Sequence, residues 1–170
     1  MVITRADKPP GHLVAALGLP ARAKILAAAS LPAEAAWLVA ADLGLGVVGE
    51  GRRQFHPWDL IERATLRRDG AVLAITYADS RQTEEFALRA RDKRFASVVN
   101  ERLRASVVEV EHVPAGAGQV AVALRRRPAD GAVYLQELPG SDADPASAAP
   151  LIRAARARLG EAAGLPSGTW

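Results

Sequence analysis

The stretch RRQFHPWDLIERATLRRDGAVLAITYAD, residues 52–79, contains the clearest turn signal in the chain and its most unusual cluster of side chains. Asp69-Gly70 separates two runs that are typical of β-strands. An Asp-Gly pair favours a type I′ turn, because both central residues of that turn need positive φ. The stretch therefore predicts a β-hairpin, and it raises the question of whether the preceding His56-Pro57-Trp58-Asp59 does chemistry.

Each of these four residues except His56 has an ordinary structural role. Pro57 lacks an N–H and has a fixed φ, which suits the end of a strand or an edge strand. Trp58 has the largest apolar surface and would anchor the strand to a core. Asp59 suits a turn, where it bonds backbone amides. We interpret the stretch as scaffold, and we keep as an alternative an enzyme that uses His56 and Asp59 in a pocket.

Short apolar runs separated by glycine, proline and charged residues extend this pattern in both directions. AKILAAAS, AAWLVAADL and LGVVGE precede the stretch, and EEFALRA follows it, so that seven short strands are predicted. The period then changes to that of a helix over residues 92–105, with Asp92 as its N-cap. Phe95, Val99 and Leu103 form the apolar side of this helix.

Three further strands and a helix are predicted in the last third of the chain. SVVEVEHV, QVAVALRRR and AVYLQEL are separated by turn sequences, and alternation places Val108, Val110 and His112 on one apolar face. A C-terminal helix is expected from Pro145 to about residue 163, with Asp144 as its N-cap. The apolar stripe of this helix contains Ala148, Leu151, Ile152, Ala155 and Leu159.

GRRQFHPWDLIERATLRRDGAVLAI, residues 51–75, and VVNERLRASVV, residues 98–108, resemble an uncharacterised actinobacterial family of PH-like (pleckstrin-homology and GRAM-like) domains. The resemblance covers roughly residues 22–160. It implies a mainly β, α+β fold, in which a small barrel over 20–108 is capped by the helix 92–105. A leader (1–19) precedes the barrel, and a β segment with a C-terminal helix (109–164) follows it. The structural anchors would be Pro57, Trp58, Phe95, Val99 and Leu103.

The bulk composition excludes some classes of protein and leaves others open. With 170 residues the chain suits one domain, or a small domain with an extension. The net charge is only +3, and 19 of the 22 basic residues are arginine, as in the proteins of high-GC genomes. We therefore expect no nucleic-acid partner. The absence of cysteine excludes disulfides and thiolate metal sites and is compatible with the cytoplasm, which is the expected location.

No assembled catalytic, cofactor or metal motif is visible. The three histidines, His12, His56 and His112, are not spaced as metal ligands, and no serine lies in a Gly-x-Ser-x-Gly elbow. GVVGEG lacks the Lys-Ser/Thr of a phosphate-binding loop and does not lead into a helix. The sequence therefore predicts no catalytic residue, cofactor or bound metal.

Arginines at strand and hairpin ends are the remaining candidates for a site. If they converge, an anionic-ligand patch would comprise Arg52, Arg53, Arg67, Arg68, Arg125 and Arg126. Acidic residues are interspersed among these arginines, which argues against such a patch. A surface of mixed charge is typical of soluble proteins in general. The region of the first hairpin reads LPAEAAWLVAADL and lacks the basic residues with which eukaryotic PH domains hold inositol phosphates.

The leading functional hypothesis is a non-catalytic binding or adaptor module that engages a protein partner at a strand edge or beside the helix. The alternatives are peripheral association with an anionic membrane surface and an enzyme of unknown class. The partner and the oligomeric state are left open by the sequence.

Overall fold

The chain is mainly β and contains three antiparallel sheets and a C-terminal helix in the computed structural model, which describes residues 8–68, 71–89 and 92–166. It divides into two units, the first ending at Leu103 and the second beginning at Arg104. All of the strands expected from the sequence are present, and each unit has its own core.

The first sheet has four strands, each paired antiparallel with the next: β1 (Ile25–Leu31), β2 (Ala36–Ala41), β3 (Gly44–Gly49) and β4 (Arg52–Pro57). A short helix, α1 (Gly11–Ala16), precedes the sheet. Leu17 follows α1 and is buried in a small cluster with Val39 and Val48. The later part of the predicted leader therefore packs on the first unit.

The second sheet consists of β5 (Ile61–Arg67), β6 (Val72–Tyr77) and β7 (Thr83–Ala87), in that order. The pairing of Arg67 with Val72 shows that β5 and β6 are antiparallel neighbours, as a hairpin requires. The predicted turn residues, Asp69 and Gly70, lie outside the described residues. A single 3₁₀ turn, Trp58–Leu60, connects β4 of the first sheet to β5 of the second.

The core of the first unit is shared by the two sheets and by the helix α2 (Lys93–Ser106). Phe95 and Val99 of α2 are buried in this core, and Leu103 packs against it partly exposed. The helix begins where Asp92 predicts, because the Asp92 carboxylate accepts a hydrogen bond of 2.9 Å from the Phe95 amide.

The closed barrel expected from the sequence is not found. Among the described residues, strand pairing ends at β1 and β4 in the first sheet and at β5 and β7 in the second. One backbone hydrogen bond, from Arg89 N to Ser30 O at 3.1 Å, reaches from the end of β7 to β1 without forming a ladder. The two sheets therefore enclose a core and leave strand edges open.

The second unit is a three-stranded sheet with a helix packed on it. Its strands are β8 (Val107–Ala115), β9 (Gly118–Arg126) and β10 (Val133–Pro139), with β9 in the middle, and its helix is α3 (Ala149–Ala162). The core between sheet and helix contains Val113, Ala115, Val120, Val122, Ala148, Ile152, Ala155 and Leu159.

The predicted start of the C-terminal helix was wrong. α3 begins at Ala149, and its N-cap, Ala148, makes no side-chain capping bond. Asp144 instead organises the preceding turn, where its carboxylate accepts hydrogen bonds from the amides of Ala146 (3.1 Å) and Ser147 (3.4 Å). Pro150 in the first helical turn explains the later start, because an N–H is dispensable there.

The assignment of faces in the second unit also needs correction. Val108 and Val110 are each 45% exposed and His112 is exposed, whereas Val113 is buried under the helix. Glu111 shares the helix-covered side and pairs with Arg158 of α3. Leu151, expected in the apolar stripe of α3, is 55% exposed. Alternation separates the two faces of a strand, but it does not reveal which face a helix covers.

Candidate functional site

The corner after β4 is built from buried side chains. Trp58 is 1% exposed, and its indole N–H donates a 2.9 Å hydrogen bond to the carbonyl of Ala41 on β2. Asp59 is buried beside it, at 3% exposure. Trp58 thus joins the connection between the sheets to the first sheet.

His56 lies against Tyr77. The centroids of the two rings are 4.2 Å apart and their planes are inclined by 33°. Burial lowers the pKa of His56 from its ordinary value, and the negative charges of Asp79 and Glu84 oppose that shift. Burial therefore disfavours the charged form of the imidazole, which packs against the Tyr77 ring.

A cluster of charged residues links the two sheets next to this ring pair. Glu84 of β7 accepts hydrogen bonds from the Tyr77 hydroxyl, at 3.0 Å, and from the guanidinium of Arg52 on β4. Arg52 also donates to Glu34 at 2.6 Å, and its guanidinium carbon lies 5.3 Å from the centroid of the Phe86 ring. These donors and acceptors pair with one another, so the cluster stabilises the contact between the two sheets.

The pKa shifts in this cluster agree with that role. Burial alone would lower the pKa of Arg52, but its hydrogen bonds to Glu84 and Glu34 raise it overall. Burial raises the pKa of Tyr77, and the neighbouring charge of Glu84 raises it further. Arg52 therefore stays charged and Tyr77 stays neutral, which leaves neither of them suited to proton transfer near neutral pH.

The six arginines of the predicted anionic patch occupy different environments. Arg52 and Arg67 pair with glutamates, the second with Glu85 at 2.6 Å. Arg125 is 2% exposed. Arg53, Arg67, Arg68 and Arg126 are exposed, and the last of them belongs to the second unit. Convergence of all six on one ligand stays a prediction.

A groove that sequence reasoning missed lies along β1. It has a volume of about 460 Å³ and is lined by the four consecutive strand residues 25–28, by Lys8, Pro9 and Val14 from the region of α1, and by Asp92 and Arg94 at the start of α2. Consecutive residues of a strand point to opposite faces. A groove that touches four in a row therefore follows the edge of the strand.

This edge is open over most of its length. β1 pairs with β2 on one side. On its other side, within the described ranges, it accepts only the hydrogen bond that Arg89 N donates to Ser30 O. In an antiparallel ladder, residues two positions apart direct their backbone groups to the same side of the strand. Ala28 therefore directs its N–H and C=O to the open side of β1, as Ser30 does. The one signal for this edge in the sequence is the run of small residues in AKILAAAS, which leaves the backbone accessible.

The groove combines an apolar floor with two cations. Val14, Ile25 and Ala27 supply apolar surface, and Lys8 and Arg94 supply positive charge. Neither cation forms an ion pair with any residue that the structure describes. Asp92 is the acidic group among the described lining residues, and one of its oxygens is already engaged with the Phe95 amide.

No group of three or more His, Asp or Glu side chains that could hold a metal ion occurs in the part of the chain that the structure describes. Among the helices of these same residues, none has both the length and the apolar character needed to cross a bilayer. No protein-family model matches the sequence, and no curated protein does either.

Proposed function

We propose that the chain is a non-catalytic, PH-like binding module that engages a protein partner by adding a strand of that partner to the free edge of β1. The observation that carries the proposal is the open edge of β1 with the groove beside it. An unpaired strand edge is a template for an extended peptide, whose main chain supplies hydrogen bonds and whose side chains fill adjoining pockets.

The PH-like part of the proposal rests on the order of the elements. Seven strands in two sheets, followed by a helix that enters their common core, correspond to the order of a PH-like domain. The absence of a closed ladder among the described residues is what leaves β1 available. In this proposal Pro57, Trp58, Phe95, Val99 and Leu103 are scaffold.

A protein partner is favoured over an anionic membrane. Two of the arginines on which membrane binding would depend, Arg52 and Arg67, are paired with glutamates of the same unit. An ion-paired arginine gains less from a lipid head group, because its charge is already compensated. An enzyme that uses His56 is also disfavoured. The neighbouring Tyr77 is hydrogen-bonded to Glu84, and Glu84 is bonded to Arg52.

Selection from a displayed library of random heptapeptides tests the proposal, with the whole chain as bait. We expect enriched peptides that bind the natural chain and lose binding to an Ala28→Pro variant. Proline removes the outward N–H of Ala28 and leaves the ladder to β2 intact. The matched charge variant for the membrane alternative is Arg68→Glu, at an exposed position after β5.

A second measurement, made on the natural chain, tests strand addition whether or not the Ala28→Pro variant folds. On the natural chain, a selected peptide should slow hydrogen exchange at the Ala28 amide, and unchanged exchange there would reject strand addition. Sedimentation with acidic liposomes at physiological salt, lost in Arg68→Glu and accompanied by no peptide enrichment, would support the membrane alternative instead.

A further inference from the structure

The side chains that line the groove along β1 indicate the chemistry of a peptide segment that would bind there. Its lining brings two cations, Lys8 and Arg94, to one cavity whose floor is apolar, and neither cation pairs with an acidic residue in the described part of the chain. The cations come from different elements, Lys8 from before α1 and Arg94 from the first turn of α2. Charges that converge from separate parts of a chain on one concave surface are a stronger indication of a ligand than neighbours along a helix.

The sign of the charge in the groove follows from the charged groups among the described residues that line it. Of these, Lys8 and Arg94 carry two positive charges and Asp92 one negative charge, which leaves a net charge of +1 for the described lining. The Asp92 carboxylate also accepts the hydrogen bond from the Phe95 amide, which occupies one of its two oxygens and leaves its charge in place. An extended segment that enters the groove would therefore meet a positive potential.

The dimensions suit an extended chain. A strand rises about 3.3 Å per residue, so the four lining residues of β1 span about 10 Å, enough for three or four residues of a peptide. In such a peptide alternate side chains point the same way. Apolar residues would lie over Ile25 and Val14 while those between them approach the cations.

We propose that the groove along β1 recognises an acidic peptide: an extended segment of a protein partner in which glutamate or aspartate alternates with apolar residues, its carboxylates bound by Lys8 and Arg94. This inference rests on the proposed function, since it names the chemistry of the strand that β1 receives. The carboxylate would find a bidentate donor in Arg94 and a point charge in Lys8.

Three synthetic heptapeptides test the inference, in which valine alternates with glutamate, glutamine or lysine. With the full chain at low salt, the glutamate peptide should bind about tenfold more tightly than the lysine peptide, and the difference should shrink as salt is added. Arg94→Glu should remove or invert this order. Arg68→Glu, the control with the same change of charge outside the groove, should leave it unchanged.

Two results would overturn the inference. One is equal binding of the three peptides to the natural chain, and the other is an equal effect of the two charge variants. If acidic liposomes bind, lose binding in Arg94→Glu, and no peptide binds, the positive groove serves a lipid surface and the inference is also wrong. Lys8→Gln should weaken binding of the glutamate peptide about threefold or more, without a change in melting temperature that would indicate unfolding.

The two proposals fail in distinguishable ways. Library peptides that enrich with no preference for acidic residues, and that lose binding to Ala28→Pro, would keep strand addition and reject the acidic ligand. Both proposals would be rejected if the library yields no peptide whose binding is lost in Ala28→Pro and if the glutamate peptide does not bind.

Discussion

The hydroxyl of Tyr77 donates a 3.0 Å hydrogen bond to the carboxylate of Glu84, the same group that binds Arg52 of the opposite sheet. The Tyr77–Glu84 bond lies within the second sheet, and the bond from Arg52 to Glu84 connects that sheet to the first.

Replacement of Glu84 by glutamine tests the interactions of Glu84 with Tyr77 and Arg52. The negative charge of Glu84 contributes to the raised pKa of Tyr77, after the larger effect of burial. Glu84→Gln should therefore lower the pKa of Tyr77 toward its ordinary value, which is measured from tyrosinate absorbance in a Tyr134→Phe background. The unfolding free energy should fall by about 1 kcal/mol, since the pair with Arg52 is partly exposed. An unchanged titration would contradict the arrangement.

His56 predicts a pH dependence of stability. Its pKa in the folded chain lies below its ordinary value of 6.5, chiefly through burial. The unfolded chain therefore binds the proton more readily, so this contribution to stability is complete above about pH 6.5 and is lost as the pH falls through the folded pKa. Denaturant unfolding from about pH 7 to about pH 5 should show a steeper loss in the natural chain than in His56→Gln. Parallel curves would contradict this.

The hydrogen bond from Trp58 to the Ala41 carbonyl predicts a cost for removing the indole N–H. Trp58→Phe keeps most of the apolar burial and leaves that carbonyl without this donor. We expect a loss of about 1–3 kcal/mol in the free energy of unfolding, measured in urea. Trp58→Ala should cost about 3–5 kcal/mol because it also opens a cavity. Equal losses in the two variants would show that the hydrogen bond, and not packing, dominates.

The burial of Phe95 predicts that α2 is required by the first unit. Phe95→Ala should lower the free energy of unfolding by about 3–5 kcal/mol, because the side chain is fully buried in the core that the two sheets share. Ser97→Ala, at an exposed position of the same helix, is the control and should change little. A melting temperature and far-UV spectrum unchanged in Phe95→Ala would reject the placement of the helix.

Two adjacent residues of α3 offer a matched test in the second unit. Ile152 is buried against the sheet, whereas Leu151 is 55% exposed. Ile152→Ala should cost about 2–5 kcal/mol and Leu151→Ala less than about 0.5 kcal/mol. Urea unfolding of the full chain measures both. Reversed costs would show that the helix is rotated about its axis.

Much of the fold follows from local sequence signals. Strand runs bounded by glycine, proline and charge, and the helical period that begins after Asp92, place all of the strands and α2 close to their observed positions. The start of α3 was misjudged because Asp144-Pro145 has the chemistry of a helix cap and the chain uses it for a turn. Capping chemistry at Asp144 allows both outcomes, and Pro150, which fits the first turn of a helix but not its interior, favours the later start.

The sequence alone determined the strands, the helix α2 and the presence of a C-terminal helix, because these depend on the period of apolar residues and on turn chemistry within a few positions; the short helix α1 was not predicted. Only the tertiary structure decided which faces are covered, which charges meet and which edge is open. The groove along β1 brings together Lys8, Ala28 and Arg94, which are far apart in the chain. Contacts of that kind depend on how the elements pack in space, and no local pattern of residues encodes them.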